Sequence, residues 1–168
     1  MLTIRRERPA DIPAVRLVEQ AAFGSNEEAD LVDALRRNGA ELLSMVAVRD
    51  GVLVGHLLLS PVTLAGIPGG MGLGPLAVHP DHQNQGVGSR LTRGGLQLLQ
   101  RRGCPFVVVL GHPGYYPRFG FQPASRWGVQ CQWPGVPDEA FMLLLFDSSL
   151  EFSLSGICAY RGEFDTVT

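Results

Sequence analysis

The stretch Leu76-Ala-Val-His-Pro-Asp-His-Gln-Asn-Gln-Gly-Val-Gly-Ser-Arg-Leu91 decides which fold the chain is expected to adopt. It consists of an apolar strand, a short polar loop and the start of a helix, opened by Gln83-x-x-Gly86-x-Gly88. A glycine-rich turn at a helix start directs several backbone N–H groups to one point, where the helix dipole adds partial positive charge. Glycine is needed because a β-carbon would hold phosphate oxygens away from these amides. The stretch therefore predicts a phosphate-binding turn.

Two better-known phosphate motifs do not fit this stretch. A P-loop requires a lysine after its second glycine, and no lysine stands near this turn. A dinucleotide-binding fingerprint requires a third glycine, where this chain has Leu91. It also requires an acidic residue after the next strand, where this chain has Val107–Leu110. Because a Gly-x-Gly alone is also compatible with a plain tight turn, a second motif has to identify the ligand.

That second motif follows the next predicted strand, in Gly111-His-Pro-Gly-Tyr-Tyr-Pro-Arg-Phe-Gly-Phe121. The order of Gln83-x-x-Gly86-x-Gly88, a helix, a strand and Tyr116-x-x-x-Gly120-Phe121 resembles the GCN5-related N-acetyltransferase (GNAT) superfamily. In that family the glycine loop holds the pyrophosphate of acetyl-CoA and the tyrosine lies beside the thioester. The specific match covers roughly residues 70–121.

The resemblance implies that an acetyl group moves from acetyl-CoA to a primary amine by direct attack in a ternary complex. Carried over by position, the backbone groups of Leu76, Ala77 and Val78 would pair with the pantetheine amides. The two tyrosines, Tyr115 and Tyr116, would lie at the thioester end. The expected pyrophosphate contacts come from the loop residues Gln83, Asn84, Gln85, Gly86, Val87, Gly88 and Ser89.

Tyr116 is the expected general acid. Collapse of the tetrahedral intermediate expels a thiolate, which a phenol of pKa about 10 is suited to protonate. The alternative is that Tyr115 and Tyr116 are only a packed aromatic pair beside Pro117. The position of Tyr116 relative to Gly120-Phe121 favours the catalytic interpretation.

The base that would deprotonate the acceptor is harder to assign. An alkylammonium must lose its proton, at a cost of about 4.6 kcal/mol at pH 7. Many family members carry a glutamate for this purpose on the central strand, but 71–76 contains no carboxylate. Glu28 and His112 are the candidate substitutes for that base. The structural alternative for Glu28 is a first-turn carboxylate favoured by the helix dipole, and the structural alternative for His112 is a turn residue before Pro113. His56 is expected to be structural, and a chain of water molecules without a dedicated base also remains open.

Other polar clusters predict less. His79, Asp81 and His82 lie close together on a solvent loop, but ligands this close rarely form a metal site without further partners, so no metal is expected. Trp127 and Trp133 are candidates for an acceptor pocket, and equally for core caps or a subunit contact.

Length and composition predict one globular domain over residues 1–168, with a cofactor-binding core at about 70–121 and a C-terminal strand and tail at 139–168. A net charge of −2 and a pI near 6.1 give no support for nucleic-acid or membrane binding. Three widely spaced cysteines fit neither a disulfide framework nor a zinc site, so a cytoplasmic location is expected.

The pattern of apolar residues predicts an α/β fold with a mixed sheet of six to seven strands flanked by helices. The resemblance implies that this is a GNAT-like sheet, mostly antiparallel, with a splayed central strand pair. Asp50-Gly51 predicts a hairpin, and Ser60-Pro61 is expected to interrupt its second strand or to place a bulge or an edge there. The segment 127–137 is expected to be a long loop, and the last twenty residues are left without an assignment.

Two functional hypotheses follow. The first is an acetyl-CoA-dependent N-acetyltransferase acting on a small-molecule or peptide amine. The second is a non-catalytic acyl-CoA-binding sensor, favoured by the missing strand carboxylate and disfavoured by the retained Tyr116. The resemblance leaves a homodimer open, because family members often pair through sheet edges or exchanged C-terminal strands.

Overall fold

The computed structural model describes residues 1–167, which contain three α-helices and nine β-strands. The helices are α1 (Ile12–Phe23), α2 (Glu27–Arg37) and α3 (Val87–Arg101). The strands are β1 (Leu2–Arg6), β2 (Leu43–Arg49), β3 (Val52–Thr63), β4 (Met71–Val78), β5 (Phe106–Leu110), β6 (Gln122–Pro123), β7 (Val129–Cys131), β8 (Phe141–Leu145) and β9 (Gly156–Tyr160).

The chain divides into two compact units. The first unit comprises Met1–Leu59, Pro75–Leu98 and the residues from Gly162 onward. The second unit comprises Ser60–Gly74 and Leu99–Arg161. The chain passes from one unit to the other within β3, β4 and α3, so each of these elements contributes to both.

In the first unit, β1, β2 and β3 form an antiparallel run. The β2–β3 hairpin turns at Asp50-Gly51, where both residues have positive φ (50° and 82°), as a type I′ turn requires. The register shifts between Ala47 and Val48, so the irregularity of this hairpin lies in β2.

A hydrophobic cluster joins α2 to the sheet of the first unit. Its buried members are Leu31, Val32, Leu35 and Leu58. Phe164 and Val167, from the C-terminal end of the chain, pack against the same cluster. The inward face of α2 is therefore covered in part by residues that follow the second unit in the chain.

Glycines let α3 lie close to the strands of the first unit. A β-carbon on Gly95 would lie 2.9 Å from Leu57 Cδ2 and 3.0 Å from Leu59 Cδ1, and one on Gly55 would lie 2.9 Å from Leu91 Cδ1. This close packing accounts for a glycine inside the helix, which costs about 1 kcal/mol relative to alanine.

In the second unit, β4 pairs in parallel with β5 over Met71–Leu73, and β5 pairs antiparallel with β8, which also pairs with β6. β7 and β9 form a parallel pair, and β9 also pairs with the end of β3 at Val62. Among residues 1–167, no helix is long and apolar enough to cross a membrane.

The predicted fold class is confirmed, since the sheet is mixed, mostly antiparallel and accompanied by helices. Two details differ from the prediction. Residues 1–167 contain nine strands where six to seven were predicted, and two of them, β6 and β7, have only two and three residues. The segment 127–137 is not wholly a loop, since it contains β7. Ser60-Pro61 does not end β3, which continues to Thr63, but β3 pairs with β2 up to Leu59 and with β9 from Val62, so its pairing partner changes at these two residues.

Candidate active site

The predicted phosphate loop lies in the first unit, at the start of α3. The side-chain Nε2 of Gln83 donates to the carbonyl oxygen of Val78 at 3.0 Å and links the loop to β4. Asn84 and Gly86 have φ of 61° and 82°, in the left-handed region that favours glycine. The nitrogen of Arg90 donates to the Gly86 carbonyl at 3.1 Å, so the hydrogen bonding of α3 reaches back to Gly86 in the loop.

The loop presents an open side at Gly86. A β-carbon built on Gly86 meets no heavy atom within 4 Å. Space beside backbone amides at a helix start is what an anion requires. The open side at Gly86 leaves room for an anion, and the pyrophosphate contacts of Gln83–Ser89 stay a prediction.

Arg49 is a cation that sequence reasoning missed. Its guanidinium donates to Gln85 Oε1 at 2.5 Å and lies 3.2 Å from His82 Nδ1. Arg49 ends β2 and is 36 residues from Gln85, so only the register of the hairpin brings it to the loop. It adds positive charge beside the candidate phosphate site.

The histidines before the loop take part in hydrogen bonds that fold the backbone into a turn. The nitrogen of Asp81 donates to His79 Nδ1 at 3.1 Å, and the nitrogen of His82 donates to the His79 carbonyl at 2.8 Å. These bonds form a short 3-10 turn over Pro80–His82. Among residues 1–167, no three His, Cys, Asp or Glu side chains are grouped to hold a metal ion.

The expected pantetheine strand segment, Leu76–Val78, is the C-terminal part of β4. Gly74, just before it, has φ of 133°, which interrupts the regular strand geometry. The nitrogen of His79 donates to the Val54 carbonyl at 2.8 Å, which pairs this end of β4 with β3. Ala77 is buried, while Leu76 and Val78 are partly exposed.

The tyrosine motif lies in the second unit, directly after β5. The nitrogens of Tyr115 and Tyr116 both donate to the His112 carbonyl, at 3.1 and 3.4 Å, and a 3-10 turn follows over Tyr116–Phe119. Gly120 ends that turn with φ of 99°, a conformation that favours glycine. The motif's glycine is thus explained by the backbone that presents Tyr116.

Tyr116 is held by aromatic neighbours and by a glycine. Its ring lies edge-on to Tyr115 and Phe121, with centroids 5.0 and 5.9 Å apart. A β-carbon on Gly111 would lie only 2.4 Å from Tyr116 Cε2. Burial raises the pKa of Tyr116 to about 12, so the hydroxyl keeps its proton at neutral pH.

The two candidate bases lie in different surroundings. His112, in the second unit, has an exposed side chain, and its carbonyl is what organises the tyrosine turn. Glu28, in the first turn of α2, is partly buried, and its Oε2 is buried without a hydrogen-bond partner. Burial, with the nearby negative charges of Glu27 and Glu19, raises the pKa of Glu28.

A buried polar network occupies the first unit, and most of it was not foreseen. His56 is fully buried, with Nδ1 2.6 Å from Glu19 Oε1 and Nε2 2.8 Å from Ser44 Oγ. Glu7 pairs through both oxygens with the Arg36 guanidinium. The sequence predicts a structural role for His56 but offers no signal for Glu19, which lies 37 residues away.

The two tryptophans have separate environments in the second unit. Trp127 is buried, and the Arg126 guanidinium lies 5.2 Å from its ring centroid. Trp133 packs on Tyr160, with centroids 5.6 Å apart, and lines a cavity of about 240 Å³ that also includes Cys131. Trp133, and not Trp127, lines that cavity.

Comparisons with known proteins agree with this arrangement. The sequence profile of the acetyltransferase (GNAT) family matches residues 12–121, more than half of the chain. The uncharacterized N-acetyltransferase YhbS of Escherichia coli is 35% identical over 166 residues, which cover 98% of this chain and 99% of YhbS.

Solved structures give the same result. The crystal structure of Escherichia coli YhbS in complex with CoA has a TM-score of 0.94 at 34% identity, covering 99% of this chain and 93% of that one. A GNAT family acetyltransferase from Brucella melitensis, in complex with acetyl-CoA, has a TM-score of 0.82 at 38% identity, covering 98% and 99%. The resemblance drawn from the two motifs is thereby confirmed: this chain belongs to the acetyltransferase (GNAT) family.

Proposed function

We propose that this acetyltransferase moves the acetyl group of acetyl-CoA to a primary amine by direct attack, with Tyr116 as general acid. The observation that carries the proposal is Tyr116 itself: a buried phenol at the family's motif position, kept protonated by its surroundings. A buried, protonated hydroxyl is suited to give a proton to a leaving thiolate.

The cofactor is proposed to bind by its pyrophosphate at the loop Gln83–Ser89 and by its pantetheine amides at Leu76–Val78. Left-handed backbone at Asn84 and Gly86 supports the first contact, since it opens the helix start to an anion. The CoA and acetyl-CoA complexes of the similar proteins support the choice of ligand. Charge-assisted hydrogen bonds of this kind contribute roughly 1.5–3 kcal/mol each.

In the proposed chemistry, the neutral amine nitrogen forms a bond to the thioester carbon. When the tetrahedral intermediate collapses, the C=O bond re-forms, the C–S bond breaks, its electron pair goes to sulfur, and Tyr116 gives its proton to that sulfur. The nitrogen, positively charged since the attack, loses one proton, which restores the Tyr116 phenol and leaves a neutral amide. Burial makes Tyr116 a weaker acid, with a pKa of about 12. Burial also disfavours a bare thiolate, so the acidity of the Tyr116 phenol and that of the leaving thiol remain matched.

Glu28 is proposed as the base that takes the proton of the acceptor ammonium. Its raised pKa brings the carboxylate closer to neutral pH, and its buried Oε2 lacks a protein partner. His112 is the less favoured candidate, because its side chain is exposed and its carbonyl already serves the turn that presents Tyr116.

The proposal is tested by titrating acetyl-CoA into the protein by calorimetry while CoA-thiol release is followed over a panel of primary amines. Binding with amine-dependent thiol release is expected. The chain contains no lysine, so released thiol reports on the added amine rather than on a lysine of the enzyme. Binding without release over the whole panel would overturn transfer and favour an acyl-CoA sensor.

A single functional domain, a cytoplasmic location, a homodimer and the absence of a metal or nucleic-acid partner stay predictions. Size-exclusion chromatography with light scattering tests the assembly directly.

A further inference from the structure

Cys131 and Cys158 lie side by side in the second unit. They are Cα partners in the parallel pair of β7 and β9, and both thiols are free. Neighbouring strands lie about 4.8 Å apart, and the Cα atoms of two cysteines in a disulfide lie about 4.4–6.8 Å apart. The backbone therefore already holds these two residues at a separation that a disulfide can span.

The side chains of the two cysteines point to the same face of the strand pair. Side chains alternate along each strand, and partners in a parallel pair share a face. Burial follows this alternation, since the preceding partners, Gln130 and Ile157, are both exposed. Cys158 is fully buried and Cys131 is half-buried, so the two thiols lie on the inward face.

A ring contact beside the cysteines shows that side chains meet across this pair. Trp133 is two residues beyond Cys131, and Tyr160 is two residues beyond Cys158. The rings of Trp133 and Tyr160 pack on each other, with centroids 5.6 Å apart. The two chain segments are therefore close enough for their side chains to touch, as a bond between sulfur atoms requires.

The two thiols differ in their access to solvent. Cys131 lines the cavity of about 240 Å³ beside Trp133, whereas Cys158 has no exposed surface. A water molecule needs only about 10–15 Å³ of such a cavity, so a small peroxide can reach Cys131. Burial raises the pKa of the Cys158 thiol to about 12, which keeps it protonated at neutral pH. Cys131 is therefore the thiol that meets a reagent first.

We propose that Cys131 and Cys158 form a reversible oxidation site, in which a peroxide converts the two thiols into a disulfide and a low-molecular-weight thiol restores them. Cys131 reacts with the peroxide, and Cys158 then forms the bond between the strands. The inference goes beyond the proposed function and does not depend on it.

The reaction has two steps. The Cys131 thiolate attacks one oxygen of hydrogen peroxide: an S–O bond forms, the O–O bond breaks, and the leaving hydroxide takes up the proton that the thiol had released. The Cys158 sulfur then attacks the sulfenic sulfur of Cys131: an S–S bond forms, the S–O bond breaks, and the Cys158 proton leaves with the hydroxide as water. The two sulfur atoms lose two electrons in total, and the peroxide is reduced to two molecules of water.

Proximity compensates for the low acidity of Cys158. A protonated thiol is a poor nucleophile, so Cys158 would react slowly with a sulfenic acid on another molecule. Its position beside Cys131 in the strand pair makes the second step intramolecular, which raises the effective concentration of the thiol by several orders of magnitude.

The strand geometry favours a disulfide that is easily reduced. The Cβ atoms in a disulfide lie about 3.5–4.5 Å apart, somewhat less than the distance of about 4.8 Å between strands. One strand must therefore move towards the other when the bond forms. β7 is only three residues long, so this movement involves few backbone hydrogen bonds. Strained disulfides are more readily reduced than structural ones.

The test treats the purified, reduced protein with dilute hydrogen peroxide. The protein is then denatured, its remaining thiols are blocked with iodoacetamide, and its disulfides are located by peptide mass spectrometry. The three thiols of the chain are expected to fall to one, with a Cys131–Cys158 bond within a single chain. Dithiothreitol added to the folded, oxidised protein is expected to restore all three.

Two variants test the order of the steps and the identity of the pair. Cys158→Ala is expected to stop oxidation at the sulfenic acid of Cys131, which dimedone traps. Cys104→Ala is the matched control, because Cys104 is another buried thiol, bonded to the Phe106 carbonyl at 3.2 Å. This control is expected to form the same disulfide as the wild type. In the folded wild type, iodoacetamide is expected to label Cys131 on the order of tenfold faster than Cys158 or Cys104.

The wild-type result decides the inference even if Cys158→Ala does not fold. Three free thiols after peroxide treatment would overturn the inference, as would a bond that joins two chains or includes Cys104. Labelling of Cys158 as fast as that of Cys131 would overturn the assigned order. None of these measurements involves acetyl transfer, so failure of the proposed function would leave their outcome unchanged.

Discussion

In the first unit, the largely buried side chains of Glu7 and Glu19 are bonded to other ionisable side chains, whereas in the second unit buried ionisable side chains lie among aromatic and aliphatic ones. Glu7 pairs with Arg36 and Glu19 contacts His56 in the first. In the second, burial raises the pKa of Tyr116 and of Cys158 to about 12. The first unit therefore keeps charge, which suits the binding of ions, and the second keeps protons, which suits proton donation.

The largest expected effect is that of removing the proton donor. Tyr116→Phe is expected to lower kcat by roughly a hundredfold or more, the usual contribution of a general acid. The Kd for acetyl-CoA is expected to stay within about twofold, because the variant keeps the ring that packs on Phe121. An assay of thiol release measures kcat, and calorimetry measures the Kd for acetyl-CoA.

The matched control is Tyr160→Phe, which removes the other buried phenol of the second unit. The Tyr160 hydroxyl donates to the Val108 carbonyl at 3.4 Å, so this variant is expected to lose stability and to keep its turnover within about threefold. Equal loss of turnover in both variants would contradict a specific role for Tyr116.

A second prediction concerns the phosphate loop of the first unit. Gly86→Val is expected to raise the Kd for acetyl-CoA about thirtyfold or more, because the added side chain occupies the open face of the loop and strains its positive φ. Gly66→Val is the control, since Gly66 has a similar φ of 78° and equally open surroundings. If both variants bind acetyl-CoA alike, the loop does not hold the pyrophosphate.

A smaller effect is expected from moving Tyr116 without removing it. In Gly111→Ala, the new methyl group would lie 2.4 Å from Tyr116 Cε2, so the ring must shift, and kcat is expected to fall about tenfold. Gly114→Ala, in the same turn, meets nothing within 4 Å and is expected to keep kcat within about twofold. Similar kcat values for the two variants would argue that the position of the ring does not matter.

The smallest expected effect is on stability, at a paired carboxylate of the first unit. Arg5 donates to both oxygens of Asp11, at 2.7 and 3.0 Å, and this lowers the pKa of Asp11 to about 2. Asp11→Asn is expected to reduce the free energy of unfolding at pH 7 by about 1 kcal/mol, since solvent screens a pair near the surface.

The pH dependence has a defined sign. Because the folded-state pKa of Asp11 lies below its ordinary value of 3.8, its contribution is complete above pH 4 and is lost as pH falls towards 2. Urea unfolding is measured at pH 7, 4 and 2. The difference in unfolding free energy between the wild type and Asp11→Asn is expected to disappear at pH 2. A difference that persists at pH 2 would mean that the ion pair is not its source. Asp50→Asn, at an exposed pair with the N-terminus, is expected to change stability less.

The two ligand motifs were predictable because each is encoded by neighbouring residues. Gly86 and Gly120 mark positions of positive φ, and a local pattern can reveal that requirement. The Asp50-Gly51 hairpin was predictable for the same reason. Arg49 and Glu19 were not, because their partners lie 36 and 37 residues away and depend on strand register and helix packing. Short strands such as β7 were missed because three residues carry too little periodicity.

Phe164 and Val167 pack against the cluster beneath α2, and Asn38 donates to Glu163 at 3.0 Å. The order of synthesis on the ribosome therefore matters to this protein. The inward face of α2 emerges early, but the side chains of Phe164 and Val167 that help to cover it are made only after the whole of the second unit. Until they emerge, that apolar surface is available to chaperones or to other nascent chains.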